Sequence, residues 1–128
     1  MSQYDDSGVK TFEAAGTIPK FARVVLGSGG TVTVAGIAEK EIGTALARVV
    51  SGERVAVKLR TAPGTHKMIA IEAMAIGATV YTETDGKVQD TAAATAFVLG
   101  TVVDSVAPTA DGDIVEVLYN AHGDTANQ

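Results

Sequence analysis

The sequence predicts an all-β fold, a small barrel or thin sandwich carried behind a flexible N-terminal arm. Composition is the first ground. The chain holds 17 Val, 7 Ile and 15 Thr against 5 Leu, and side chains branched at Cβ fit a pleated sheet better than a helix. Spacing is the second: short apolar runs recur between clusters of Gly, Pro, Asp and Ser, as in many short strands joined by turns. Side-chain size is the third. Alanine occurs 21 times and Trp not at all, so bulky anchors are scarce and a thin barrel completed by oligomerisation is expected.

Residues 1–20, MSQYDDSGVKTFEAAGTIPK, sustain no period of 2 or 3.6 around Val9, Phe12 and Ile18. They read as an arm, flexible when free, with Pro19 favouring extended backbone at Ile18. The barrel domain is expected over 21–119. It opens with a strand at Phe21–Leu26, a turn at Gly27-Ser28-Gly29-Gly30, and a strand at Thr31–Ala35 with Val32 and Val34 inward. Leu46–Val50 and Arg54–Leu59 flank Ser51-Gly52-Glu53 as a hairpin. In its second arm Val55, Val57 and Leu59 share one face, with Arg54, Lys58 and Arg60 on the other. Thr61–Lys67 is a loop turning at Pro63-Gly64. Met68–Ile76 fits a short helix or a strand to Ala73 with Ile69, Ile71 and Ala73 inward, and the strand is preferred. Ala78–Thr82, a turn at Asp85-Gly86 and a continuation at Val88 follow. Thr91–Thr95 connects to a last pair, Phe97–Val106 and Ile114–Tyr119, and 120–128 read as a loose tail.

At 128 residues the chain has the length of one domain. It has no cysteine, which excludes disulfides, thiolate metal sites and a thiol nucleophile. No secretory leader pattern opens it, and no apolar run approaches the roughly 20 residues of a membrane helix, so a soluble, unprocessed protein with no membrane partner is expected. Net charge is −5, and all ten Lys and Arg fall between Lys10 and Lys87. No basic stripe is left to displace counterions from phosphates, which argues against direct nucleic-acid binding.

Candidate chemistry fails residue by residue. Glu72-Ala73-Met74 resembles a biotin-attachment site, but Ala75 follows where the lysine must stand. Gly27-Ser28-Gly29-Gly30 lacks the Gly-Lys-Ser/Thr ending of a phosphate loop, and a strand follows it where a helix N-terminus is needed. His66 and His122 have no ligand or base at useful spacing and read as surface residues. No serine stands in a nucleophile elbow. Asp111-Gly112-Asp113 lacks the later carboxylates of a calcium loop, and Asp85 and Asp90 read as turn and surface carboxylates. No catalytic residue, cofactor or metal ligand is expected, and the chain is not expected to be an enzyme.

A resemblance lies in the order of elements. Ile42-Gly43-Thr44-Ala45-Leu46-Ala47 precedes a Gly-Glu turn and Val55-Ala56-Val57-Lys58-Leu59. Gly77-Ala78-Thr79-Val80-Tyr81, Asp85-Gly86-Lys87-Val88, Leu99-Gly100-Thr101-Val102 and Val115-Glu116-Val117-Leu118 follow. This arrangement, over about 21–119, is similar to the capsid cement or head decoration proteins of tailed double-stranded DNA phages. The resemblance implies a β-tulip-like barrel and a homotrimer on the outer surface of an expanded icosahedral capsid. It also implies that the protein clamps neighbouring subunits of the major capsid protein. In that setting the arm is expected to add a strand to a capsid sheet and seat Phe12, Ile18, Pro19 and Phe21 in its pockets. Deleting it would then leave the barrel folded and abolish capsid binding. The alanine-rich run Thr91–Ala96 is a candidate for the trimer contact. Two alternatives stand beside this reading: another oligomeric virion module (tail, fibre base or glycan-binding domain), and an enzyme whose site assembles between subunits.

Overall fold

The computed structural model describes residues 8–104, 107–120 and 125–126. Apart from two single 3-10 turns, Ser28–Gly30 and Thr84–Gly86, the regular structure there is all β. Strands β1 (Val9–Ala14), β2 (Arg23–Leu26), β3 (Thr31–Val34), β4 (Gly43–Ala45) and β5 (Arg54–Leu59) close into a barrel in the order β1-β3-β2-β4-β5. Here β1 runs parallel to β3 and antiparallel to β5. Strands β6 (His66–Ala70), β7 (Thr79–Thr82), β8 (Lys87–Gln89), β9 (Phe97–Val102) and β10 (Ile114–Tyr119) form a second sheet in the order β6-β8-β7-β9, closed by β10 against both β6 and β9. Its β6 is parallel to β8, as β1 is to β3. A short β11 (Thr125–Ala126) pairs with Phe97 and Val98 on β9.

The two barrels are one unit written twice, and their backbone hydrogen bonds correspond. Ile18 N donates to Val49 O as Met74 N does to Pro108 O, and Phe21 N donates to Ala45 O as Gly77 N does to Val102 O. Gly27 N donates to Thr31 O as Glu83 N does to Lys87 O. Both 3-10 turns carry left-handed residues in register: φ is 75° and 79° at Gly29 and Gly30, and 59° and 71° at Asp85 and Gly86. Gly43 and Gly100 also correspond. A Cβ on either would collide with the facing strand's carbonyl oxygen, that of Lys58 or Leu118, so each barrel closes around a glycine. The two second hairpins turn alike. Glu53 accepts from Val50 N at 2.8 Å, and Asp113 from Ala110 N at 3.2 Å.

Inward positions are small and branched. Val24, Val32, Val55 and Val57 with Ala14, Ile18, Ala22 and Ala45 fill the first barrel. Met68, Val80, Val88, Leu99, Val102, Val115 and Val117 fill the second. Each fully buried Val, Leu, Ile or Met side chain contributes about 1.5–3 kcal/mol.

Several expectations are corrected. From residue 8 the expected flexible arm is part of the first barrel: β1 is bonded on both edges, and Ile18 is fully buried in a bridge to Val49. In β1 Phe12 and Ala14 turn inward and Thr11 and Glu13 outward, but only Ala14 is fully buried, so the alternation is too short to stand out in the sequence. Residues 1–7 lie outside the described residues. The expected single barrel over 21–119 is two barrels, the first completed by β1. The strand expected at Leu46–Val50 is displaced to Gly43–Ala45, because Gly43 is what lets β5 come close. Around Met68 the inward parity is reversed. Met68 and Ala70 face the second core, while Ile69 packs on the first. In the expected tail, Asn120 N donates to Leu99 O at 2.9 Å and residues 125–126 pair with β9, whereas 121–124 and 127–128 lie outside the described residues.

Candidate functional site

The densest polar cluster lies at the seam between the barrels. Val24 points into the first core, so its neighbour Arg23 points out of that barrel and into the second. There it is completely buried. Arg23 Nε donates to Lys87 O at 2.9 Å, Nη2 to Gly36 O at 3.1 Å and to Glu83 O, and Nη1 to Glu41 Oε1 at 3.1 Å. Glu41, also buried, accepts from Tyr119 Oη at 2.6 Å through its other oxygen. A guanidinium is suited to this place because its planar fork serves several acceptors at once. Both carboxylate oxygens of Glu41 are engaged, one by Arg23 of the first barrel and one by Tyr119 of the second, so Glu41 ties the two barrels together.

Around this pair the backbones interlock. Gly86 N donates to Ala35 O at 2.8 Å, and Thr82 Oγ1 donates to Ile37 O at 2.6 Å while accepting from Phe97 N at 2.9 Å. A Cβ on Gly86 would lie 2.9 Å from Val34 Cγ1, 3.0 Å from Ala22 Cβ and 3.1 Å from Arg23 O. The second barrel's turn is therefore a knob seated against β2 and β3 of the first. On the other side of Tyr119 from Glu41, His66 Nε2 bonds Leu59 O at 2.8 Å, and its ring meets Tyr119 edge-on at 4.7 Å. Its Nδ1 is buried without a hydrogen-bond partner. Burial lowers the His66 pKa; the Leu59 hydrogen bond opposes this, and the Lys58 and Arg60 charges add to the lowering. His66 is thus a neutral core imidazole, where a surface residue is expected from sequence.

The residues expected to grip a capsid do not form a free arm. Ile18 is core, and Phe12 and Phe21 are half-buried against the first core. Pro19 is exposed and its carbonyl accepts from Ala22 N. Phe21 holds φ at 70°, a conformation unusual for a bulky residue, and its repeat partner is Gly77. The ammonium groups of Lys20 and Lys67 lie 5.0 and 5.9 Å from the Phe21 ring. At the expected acidic turn Asp111 pairs with Lys87 at 2.8 Å. Asp113 Oδ2 accepts from the backbone and hydroxyl of Thr109, which with the Ala110 amide hold its pKa below the usual carboxylate value. That carboxylate caps its own turn. Among the described residues no three His, Asp or Glu side chains gather as a metal site would require.

The duplication itself was missed from sequence. Its signals are Ala22-Arg23-Val24 against Ala78-Thr79-Val80, Gly43-Thr44 against Gly100-Thr101, and Val55 and Val57 against Val115 and Val117.

No family model matches the chain, and no curated protein matches it. Among solved structures it is similar to the N base of the head fibre gp8.5 of bacteriophage phi29, with a TM-score of 0.71 and 18% identity over 88% of this chain and 92% of that one. The two chains share the fold over nearly their whole lengths.

Proposed function

We propose that the chain is a structural protein of a tailed-phage virion, held on the outside of the head by the major capsid protein. The carrying observation is that the fold over 88% of the chain corresponds to 92% of the N base of a phage head fibre. The order of strand and turn motifs points the same way. Closed barrels leave few free edges, and the Arg23–Glu41 joint makes the pair a stiff body, as a clamp across capsid subunits needs. Its partners in this reading are the major capsid protein and further copies of the chain in a homotrimer. Nucleic acid, membrane, cofactor and catalysis have no part in it.

The same observation favours a second reading, in which the chain is the seat of a projecting fibre and adds nothing to shell strength. Co-sedimentation of the full chain with expanded, undecorated heads tests the shared core of both: saturable binding is expected, and its absence overturns them. Heating the decorated, DNA-filled heads separates the two, since a clamp delays DNA release and a fibre seat leaves it unchanged. Removing residues 1–20 would open the first barrel by deleting β1, so the informative truncation removes only residues 1–7.

A further inference from the structure

The duplication creates an interface and leaves both of its halves repeated and unused. Inside the chain, the second barrel's knob (Thr82 and the Gly86 turn) seats on the first barrel's outer face at Ala22, Arg23 and Val34. Lys58 lies on that face too, opposite Thr44 as Arg23 is, and its Nζ donates to Thr65 O of the linker. The first barrel has the same knob. Its Leu26, at the place of Thr82, is 51% exposed, and a Cβ on Gly30, at the place of Gly86, would meet nothing within 4 Å. The second barrel has the same outer face. There Thr79 stands for Arg23 and is exposed, and Leu118 stands for Lys58 and is 49% exposed, each opposite Thr101 in the sheet.

Three substitutions on the two free halves replace a polar side chain by an apolar one, while Thr79 in place of Arg23 stays polar and Asp90 in place of Val34 runs the other way. On the knob a threonine becomes leucine. On the face a lysine becomes Leu118, and at its edge Ile76, 56% exposed, replaces Lys20. Leucine therefore stands at the centre of each free half, and among the described residues Leu26 and Leu118 are about half exposed. Single exposed apolar side chains are ordinary on a protein surface; what sets Leu26 and Leu118 apart is their place on the two repeated halves of the joint. A knob and a face on one body, complementary and not superposed, give a heterologous contact that joins copies head to tail.

We infer that copies of this chain associate head to tail, the Leu26–Gly30 knob of one seating on the Thr79–Leu118 face of the next. This rests on the self-association in the proposed function and names its surface.

The test uses the full chain in sedimentation velocity, with Leu26→Asp and Leu118→Asp, both at exposed positions where folding tolerates charge; unchanged urea midpoints, read at a dilution where each form is monomeric, confirm folding. The wild type is expected to sediment above monomer, and each variant to self-associate at least about tenfold more weakly. Mixed one to one, the variants are expected to form a dimer that grows no further, because each brings one intact half. Monomeric variants that fail to pair when mixed would replace the head-to-tail contact with a symmetric one. A wild-type oligomer indifferent to both substitutions would overturn this surface while leaving self-association standing. A wild type monomeric at every concentration would overturn both.

Discussion

Gly86→Ala is the sharpest probe of the joint between the barrels. The residue sits at φ 71°, and an added Cβ would lie 2.9 Å from Val34 Cγ1 and 3.0 Å from Ala22 Cβ. Two costs follow. An L-residue in left-handed backbone costs about 1–2 kcal/mol. Forcing a methyl into a filled contact between two rigid barrels costs about a further 1–3 kcal/mol. The sum, roughly 2–5 kcal/mol, is a large share of a domain stability of about 5–15 kcal/mol. Gly52→Ala is the control, since Gly52 has φ 90° and nothing within 4 Å of an added Cβ, so only the backbone cost of about 1–2 kcal/mol applies. Urea denaturation of both variants below the self-association range, followed by circular dichroism, reads the difference. Gly86→Ala should lose about 1–3 kcal/mol more than Gly52→Ala. Equal losses would refute a tightly seated knob.

Other consequences follow from the same seam. Arg23→Met strands Glu41 in the interior and should cost about 3–5 kcal/mol, while Arg23→Met with Glu41→Met should recover much of that in the same urea assay. The lowered pKa of His66 means that the unfolded chain binds its proton more readily than the folded one. Stability from this group is therefore full above the ordinary pKa of 6.5 and falls as pH drops from there toward the lower folded value. His66→Gln should flatten that part of the stability profile, read as urea midpoints at stepped pH. Asp113→Ala removes the acceptor for the Thr109 and Ala110 amides and should lower the thermal midpoint below that of the wild type.

What was legible in the sequence was local. Arg54–Leu59 and Ile114–Tyr119 are strands with the expected bounds, because alternation along one half-buried strand needs only its own residues. The turns at Gly27–Gly30 and Asp85-Gly86 were legible for the same reason, since left-handed backbone selects glycine nearby. The long-range features were not. Val9–Ala14 buries one residue and is held by main-chain bonds to β3 and β5, which leave no mark on composition. Arg23 reads as a surface charge until Glu41 and the carbonyls of Glu83 and Lys87 surround it. His66 reads as a loop residue until Tyr119 and Leu59, from two different barrels, enclose it. The seam is made of residues far apart in the chain, so its chemistry appears only once both barrels are closed.

The measurement that bears most directly on the virion reading is a cryo-electron microscopy reconstruction of expanded, undecorated heads incubated with the full chain. The account predicts added density on the outer surface of the shell, with two barrel-sized lobes per copy, touching the major capsid protein. A shell unchanged at saturating protein, or density confined to the tail, would contradict it.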